Sequence, residues 1–240
     1  MLATLSFKLF MREIRSGYLT SMLLSLVLAV TIVSGISLFT DRLEKVLSSE
    51  TQEFLGGDLK FESNDTSIKD VLETLNLKDS KSSEMAILAS VIFSEEEMQL
   101  SSIKAVDNAY PLIGELELEN SSGTYKTTES PTPGNIWMDE RLKNLLSLEY
   151  GDKIYLGDAT FVFEATIIYE PDRGSTNFAF APKTIMNIGD IDKTNLIQPG
   201  SRVEYNYLFT GPDEEISQIR NILEENRNQG DDIESLDEDD

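Results

Sequence analysis

Residues 18–39, YLTSMLLSLVLAVTIVSGISLF, form a run of 22 residues without a charge. Wound as a helix at about 1.5 Å per residue, such a run rises about 33 Å, enough to cross a hydrocarbon layer of about 30 Å. A cleaved leader has a shorter apolar region, about 7–15 residues, and a small-x-small cleavage site. No convincing A-x-A site follows here, since Gly35 is succeeded by Ile36, Ser37, Leu38 and Phe39. The pattern predicts a membrane anchor. Gly17 just before the run, and Ser21, Ser25 and Ala29 within it, recur every four residues. Small residues at that spacing let a second helix approach closely. Upstream, Phe7, Phe10, Met11 and Ile14 share one helical stripe, and Lys8, Arg12 and Arg15 share another. A helix of that kind lies along the inner headgroups; a basic flank that only sets topology is the simpler alternative.

Past the run, the helical period continues and then gives way to a period of two. Leu43, Val46, Leu47 and Phe54 keep helical spacing up to Gly56 and Gly57, a pair that suits a helix stop. A helical stalk is expected over residues 40–57. Strands are expected at DLKFES, over residues 85–93 and 98–106, at GELELEN with Leu116 and Leu118 on one face, and at RVEYNYLFT. A short helix is expected around residues 68–75, and a longer one over 213–226. Pro131, Pro133 and Gly134 mark a loop. IWMDERLKNLLSL reads as a strand running into a helix, with Asp139 as N-cap and Leu142, Leu145 and Leu146 buried. DKIYLGDATFVFEATIIYE reads as a hairpin about Gly157 and Asp158, with Phe161, Phe163, Ala165, Ile167 and Tyr169 on one face. The last ten residues, DDIESLDEDD, hold seven acids and read as a frayed tail or a short strand.

The fold class expected is α+β: one N-terminal transmembrane helix with a stalk, then a mixed sheet with few helices, with two lobes as an option. The domain organisation is then a flank (1–17), a transmembrane helix (18–39), a stalk (40–57), an extracytoplasmic domain (58–230) and an acidic tail (231–240).

Composition narrows the function. The net charge is −23 over 240 residues, which disfavours nucleic acid as a partner because phosphate binding needs a basic face. Cysteine and histidine are both absent. Disulfides, thiolate sites, Ser-His-Asp and Cys-His arrangements and His-bound zinc go with them. Before the apolar run stand Lys8, Arg12 and Arg15 against Glu13 alone; beyond it are 17 basic and 42 acidic residues. The positive-inside rule puts the N-terminus in the cytoplasm and the acidic body outside.

Three stretches invite a chemical reading. YEPDRG (169–174) sets Glu170, Asp172 and Arg173 beside Pro171 and Gly174. Turn chemistry accounts for it: proline fixes φ, aspartate favours the next position and glycine releases the chain. On that reading Asp172→Asn is nearly neutral for stability. Ser101 and Lys104 match S-x-x-K, but on a strand and without the companion motifs, so chance explains them. DIDKTN (190–195) begins like a calcium loop but has Asn195 where the sharp-turn glycine belongs, and is expected to be an ordinary loop. No glycine-rich phosphate loop ending in Lys-Ser/Thr is present, so no cofactor is expected and no catalytic or metal residue is assigned.

Seven stretches, in order, resemble the ABC-transporter permeases of the FtsX/MacB type, closest to the YbbP-like group. They are FTDR (39–42, with Asp41 and Arg42), LGGDL (55–59, with Gly56 and Gly57), residues 103–107 followed by YPLIGEL (110–116, with Pro111), and PGNIWMDERL (133–142, with Trp137). The others are EPDRG (170–174), residues 181–187, and LIQPGSRVEYNYLFTG (196–211, with Pro199, Gly200 and Arg202). The resemblance implies a non-enzymatic permease component in a bacterial inner membrane. It implies a separate cytoplasmic ATPase, further transmembrane helices of the same permease, the bilayer and a lipid or lipoprotein cargo as partners. It also implies a MacB-like periplasmic core that moves when the ATPase closes. Such permeases carry further membrane helices after this domain, so the chain is expected to be the N-terminal portion of one. The alternative is a single-pass membrane-anchored binding or adaptor module; a membrane-anchored hydrolase is the third class.

Overall fold

The computed structural model of the chain describes residues 18–73, 78–172 and 181–235. The elements, in order, are α1 (Tyr18–Leu55), β1 (Leu59–Ser63), α2 (Lys69–Glu73), β2 (Lys81–Phe93), β3 (Met98–Val106), β4 (Leu116–Asn120) and β5 (Gly123–Thr127). There follow β6 (Asn135–Asp139), α3 (Glu140–Leu145), β7 (Lys153–Leu156), β8 (Ala159–Tyr169) and β9 (Lys183–Asn187). A 3-10 turn (Ile188–Asp190), α4 (Ile191–Thr194), β10 (Glu204–Thr210), α5 (Asp213–Asn226) and β11 (Asp232–Ser235) complete the described chain. The chain divides into two units, Met1–Ser49 and Glu50–Asp240.

In the first unit, α1 carries a segment, Thr20–Leu43, with a mean hydropathy of 2.4 and no buried residues. It is the one helix among the described residues long and apolar enough to cross a membrane. The helix ends where the paired glycines predict. Gly56 adopts φ +80°, a left-handed conformation that glycine enters without the Cβ clash of other residues.

The second unit is organised by alternation along β2 and β3, which pair antiparallel. Ala86, Leu88 and Ile92 of β2, with Ile103 and Ala105 of β3, point into one apolar cluster. Met85 and Val106 point into another, because successive side chains leave opposite faces of a strand. From β3 the sheet continues through β9 (parallel), β6 and β8 (parallel to β6), and β7 joins β8 back to β2. Six strands therefore close into a ring. Its interior holds Phe161 and Phe163 of β8, Ile136 and Met138 of β6, Ile154 and Leu156 of β7, and Leu142 and Leu146 at α3. Closure at β2 and β7 rests on a short pairing, Ile92 with Leu156 and Phe93 with Tyr155.

Two arms extend from the ring. One runs β2–β10–β1–β11, and α5 covers it by packing Ile216, Ile219 and Leu223 on Leu59, Phe61 and Phe209. The other is β4 and β5, added to β8. The strands form one continuous mixed sheet, so the α+β class holds, and the optional two lobes take the form of a ring and its arms on a shared sheet.

Several expectations meet their reasons here. Asp139 caps α3 by accepting from Leu142 N at 2.7 Å, and Leu142 and Leu146 are buried. Leu145 is instead exposed, because a helix of this length turns only one stripe inward. The face expected from Phe161 to Tyr169 splits: Phe161 and Phe163 enter the ring, whereas Ala165 and Ile167 pack in the outer cluster. A register shift against β6 at Ile136 and Trp137 accompanies the change. Residues 190–194 are helical rather than a loop, with Asp190 buried and accepting from Gly134 N. Residues 232–235 pair with β1, so the short-strand alternative applies to them; residues 236–240 lie outside the described residues.

Candidate functional site

A lysine interrupts the outer face of β3. Ser101 and Lys104 are three residues apart, so a strand sends them to opposite faces. Ser101 Oγ donates to Pro182 O at 2.8 Å and lies 2.9 Å from Thr184 Oγ1. Lys104 Nζ donates to Tyr110 Oη at 3.0 Å, Glu170 Oε1 at 2.6 Å and Asp172 Oδ2 at 2.5 Å. The S-x-x-K match carries no nucleophile chemistry, yet its lysine is the centre of the most charged buried group among the described residues.

Further bonds cross-link these groups. Tyr110 Oη lies 2.6 Å from Asp172 Oδ1 and 2.9 Å from Glu170 Oε1, with its one proton to donate between them. Lys183, on β9, donates to Glu170 Oε2. Lys104 also sits 4.5 Å from the centre of the Tyr110 ring, within cation–π range. Lys104, Tyr110, Glu170 and Asp172 are all buried.

Charge states follow from this geometry. Burial pushes the Glu170 carboxyl up, but the Lys104 and Lys183 charges outweigh it and hold the group at about 2. Burial pushes Asp172 up as well, and the neighbouring Glu170 charge adds to it, so Asp172 stays raised despite Lys104. Burial works to lower the Lys104 ammonium, and the two carboxylates reverse the direction, keeping it protonated. Tyr110 is raised by burial and by both carboxylates. A protonated lysine is no nucleophile. The adjoining cavity between Leu55, Lys104, Asp172 and Asn206 measures about 10 Å³. That is about the least space one water occupies. The arrangement ties β3 and β9 to the segment that follows β8.

The segment carrying the carboxylates is held from the other side by the end of α1, within the second unit. Pro171 has no N–H and cannot extend the β8 ladder, which stops at Tyr169. Tyr169 Oη donates to Glu53 Oε1 at 3.0 Å. A Cβ on Gly56 would stand 2.8 Å from Asp172 Cβ and 3.1 Å from Leu208 Cδ1, so the helix terminus rests on the network itself. A Cβ on Gly114 would likewise stand 2.7 Å from Pro171 Cβ and 3.2 Å from Glu53 Oε1. Asp58 accepts from Gln52 Nε2 and, at 2.7 and 3.0 Å, from Thr210 Oγ1 and Gly211 N, fastening the same turn to β10.

The residues singled out from sequence are thus dispersed. Gly56, Pro171, Asp172 and Glu170 meet at the network, and Gly57 packs on the backbone of Phe209. Pro111 is buried directly after Tyr110. Trp137 sits in the outer apolar cluster with Tyr110, its Nε1 donating to Glu164 at 2.9 Å. Pro199 and Gly200 form an exposed turn closed by Ser201 N to Gln198 O at 2.8 Å, and Arg202 is exposed beside it. Asp41, Arg42, Ser21, Ser25 and Ala29 are exposed on α1, with Ser25 Oγ donating to Met22 O at 2.8 Å. Gly17, Arg173 and Gly174 lie outside the described residues. The turn reading of Glu170 and Asp172 needs correction. The proline does end a strand, but both carboxylates point inward to lysines rather than serving a surface turn. Sequence reasoning set Lys104 aside as a chance match and missed the roles of Tyr110, Lys183, Glu53 and Gly114. Its available signal was a lone lysine within the apolar strand SSIKAV.

No family model matches the chain. Over 207 residues, 86% of its length, it is 37% identical to YbbP of Escherichia coli K12, an uncharacterised ABC transporter permease. That match bears out the resemblance carried by the seven stretches. The chain spans 25% of the length of that protein. Among solved structures, the periplasmic region of MacB from Actinobacillus actinomycetemcomitans matches 78% of the chain and 92% of that structure, with a TM-score of 0.49 and 12% identity. The extracellular domain of the ABC-type transporter YknZ from Gram-positive bacteria matches 72% and 89%, with a TM-score of 0.46 and 7% identity.

Proposed function

We propose that the chain is a non-catalytic component of an ABC-transporter permease, transmitting the motion of a separate cytoplasmic ATPase to an extracytoplasmic domain. One observation carries this reading: the last turn of α1 is bonded to Tyr169 through Glu53 and rests on Asp172 through Gly56, and Asp172 is bonded to Lys104 of the ring. A displacement of that turn acts on β3 and β8 directly, because the parts between are packed and hydrogen-bonded. Similarity to a permease over most of the chain supports the assignment. The non-catalytic part rests on a buried network with a protonated lysine and on a sequence without histidine or cysteine.

On this reading Lys8, Arg12 and Arg15 stay in the cytoplasm and the domain over 58–230 lies outside a bacterial inner membrane, with 18–39 spanning and 40–57 as stalk. The partners are the ATPase, further helices of the same permease meeting the stripe of Gly17, Ser21, Ser25 and Ala29, the bilayer, and a lipid or lipoprotein cargo. The cysteine-free sequence makes a direct test available. In membranes containing the complete transporter, spin labels on Val46→Cys and Lys193→Cys should change separation when ATP is added. The change should vanish in a Glu53→Ala background. A separation that ATP leaves unmoved sinks the transmission reading and leaves an adaptor module. On whole cells an impermeant maleimide should label Lys193→Cys.

A further inference from the structure

The outer face of the β2–β3 hairpin is covered in its first half and bare in its second. Near the start of β2, Met85 and Ile87 lie opposite Val106 and Lys104 and are buried. Toward the turn the same face carries Val91 opposite Leu100 and Phe93 opposite Met98, and Phe93 is also opposite Tyr155 of β7. These five side chains are cross-strand neighbours, so they form one contiguous patch. They are 37–68% exposed. At this end β2 pairs with both β3 and β7, so the patch runs across three neighbouring strands of one sheet. A contiguous apolar cluster of this kind on an acidic domain marks a contact site.

The charges around the patch say what fits it. Its turn carries three consecutive exposed glutamates, Glu95, Glu96 and Glu97. Beside the turn is a cleft of about 430 Å³, lined by Glu95, Glu96 and Asp152 with Lys153 as its one cation. Anionic headgroups are repelled by this rim. A second copy would bring the same glutamates and a net charge of −23. We infer that the hairpin end of the ring is a docking surface for another protein, one that presents an amphipathic helix with apolar residues on one face and lysine or arginine along its border. The apolar face covers Val91, Phe93, Met98, Leu100 and Tyr155, and a basic side chain enters the acidic cleft. Complementary charge sets the register and the association rate, and the desolvated apolar centre sets the residence time. This inference stands apart from the transmission reading, since it needs neither ATP nor motion.

The test uses the full chain in nanodiscs of zwitterionic lipid, with empty discs as reference, and a fluorescein-labelled 14-residue leucine–lysine helix as probe. Anisotropy should report binding that weakens with salt. Met98→Lys with Leu100→Lys should weaken it about tenfold or more, the range for central anchors. Glu95→Gln with Glu96→Gln should weaken it less and flatten the salt dependence. All four positions are exposed, and the Trp137 emission of each variant should match the parent, showing an intact fold. A photo-crosslinker at position 98 should capture the probe. Equal binding in parent and Lys variants overturns the inference, as does a crosslink to lipid or to a second copy in place of the probe.

Discussion

Replacing Lys104 with methionine tests whether the buried network holds the domain together. Methionine fills the lysine stem and removes only the charge and its donors. In the parent, Nζ makes three donations, to Tyr110, Glu170 and Asp172, at a site where the lysine side chain is 3% exposed. Without it, among the described residues, Glu170 keeps Lys183 and Asp172 keeps the Tyr110 hydroxyl. Breaking a buried ion pair by removing one partner costs about 3–5 kcal/mol, because a charge is left buried and unpaired. For a domain of this size that lowers the melting temperature by about 6–20 °C. Trp137 is the single tryptophan, and it packs in the same outer cluster as Tyr110, so its emission follows unfolding of this region. The pH dependence adds a sign. The parent's Glu170 is held at about 2, below its ordinary value of 4.5, so its contribution is present above about 4.5 and is lost only as pH falls toward 2. Asp172 is raised, so its penalty is felt above its folded pKa and relieved as pH falls. In the variant both carboxylates lose Lys104, so Glu170 rises from its lowered position and Asp172 moves further up. The deficit should therefore be larger at pH 7.5 than at pH 4.5, where protonation relieves the unpaired charge. A variant that melts with the parent at both pH values, or a deficit that grows on acidification, would refute the argument.

Asp172→Ala should lower stability by about 1–3 kcal/mol in chemical denaturation at neutral pH, since it takes a buried acceptor from both Lys104 and Tyr110; a neutral result would restore the simple turn. Gly56→Ala should cost about 1–3 kcal/mol through its φ of +80° and the contact of 2.8 Å with Asp172, read as a lower denaturation midpoint.

What the sequence determined, it determined locally. The ends of β3 and α5, the hairpin about Gly157 and Asp158 and the cap at Asp139 follow from periods of two and 3.6 and from turn and cap chemistry, all within a few residues. The apolar run and its length specify a helix long and apolar enough to cross a membrane by the same short-range logic. Tertiary structure decided the rest. The ring needs β7 to meet β2, and β3 to lie parallel to β9, pairings between residues about as far apart as Ile92 and Leu156 or Ser102 and Lys183. No periodicity encodes them, because the pattern says which face is apolar and not which strand lies alongside. The network shows the same limit. Lys104 is 66 residues from Glu170 and 68 from Asp172. In sequence the two acids read as a polar turn and the lysine as an accident of a strand. Only the fold desolvates them together, and in that dry site neither charge is stable without the other.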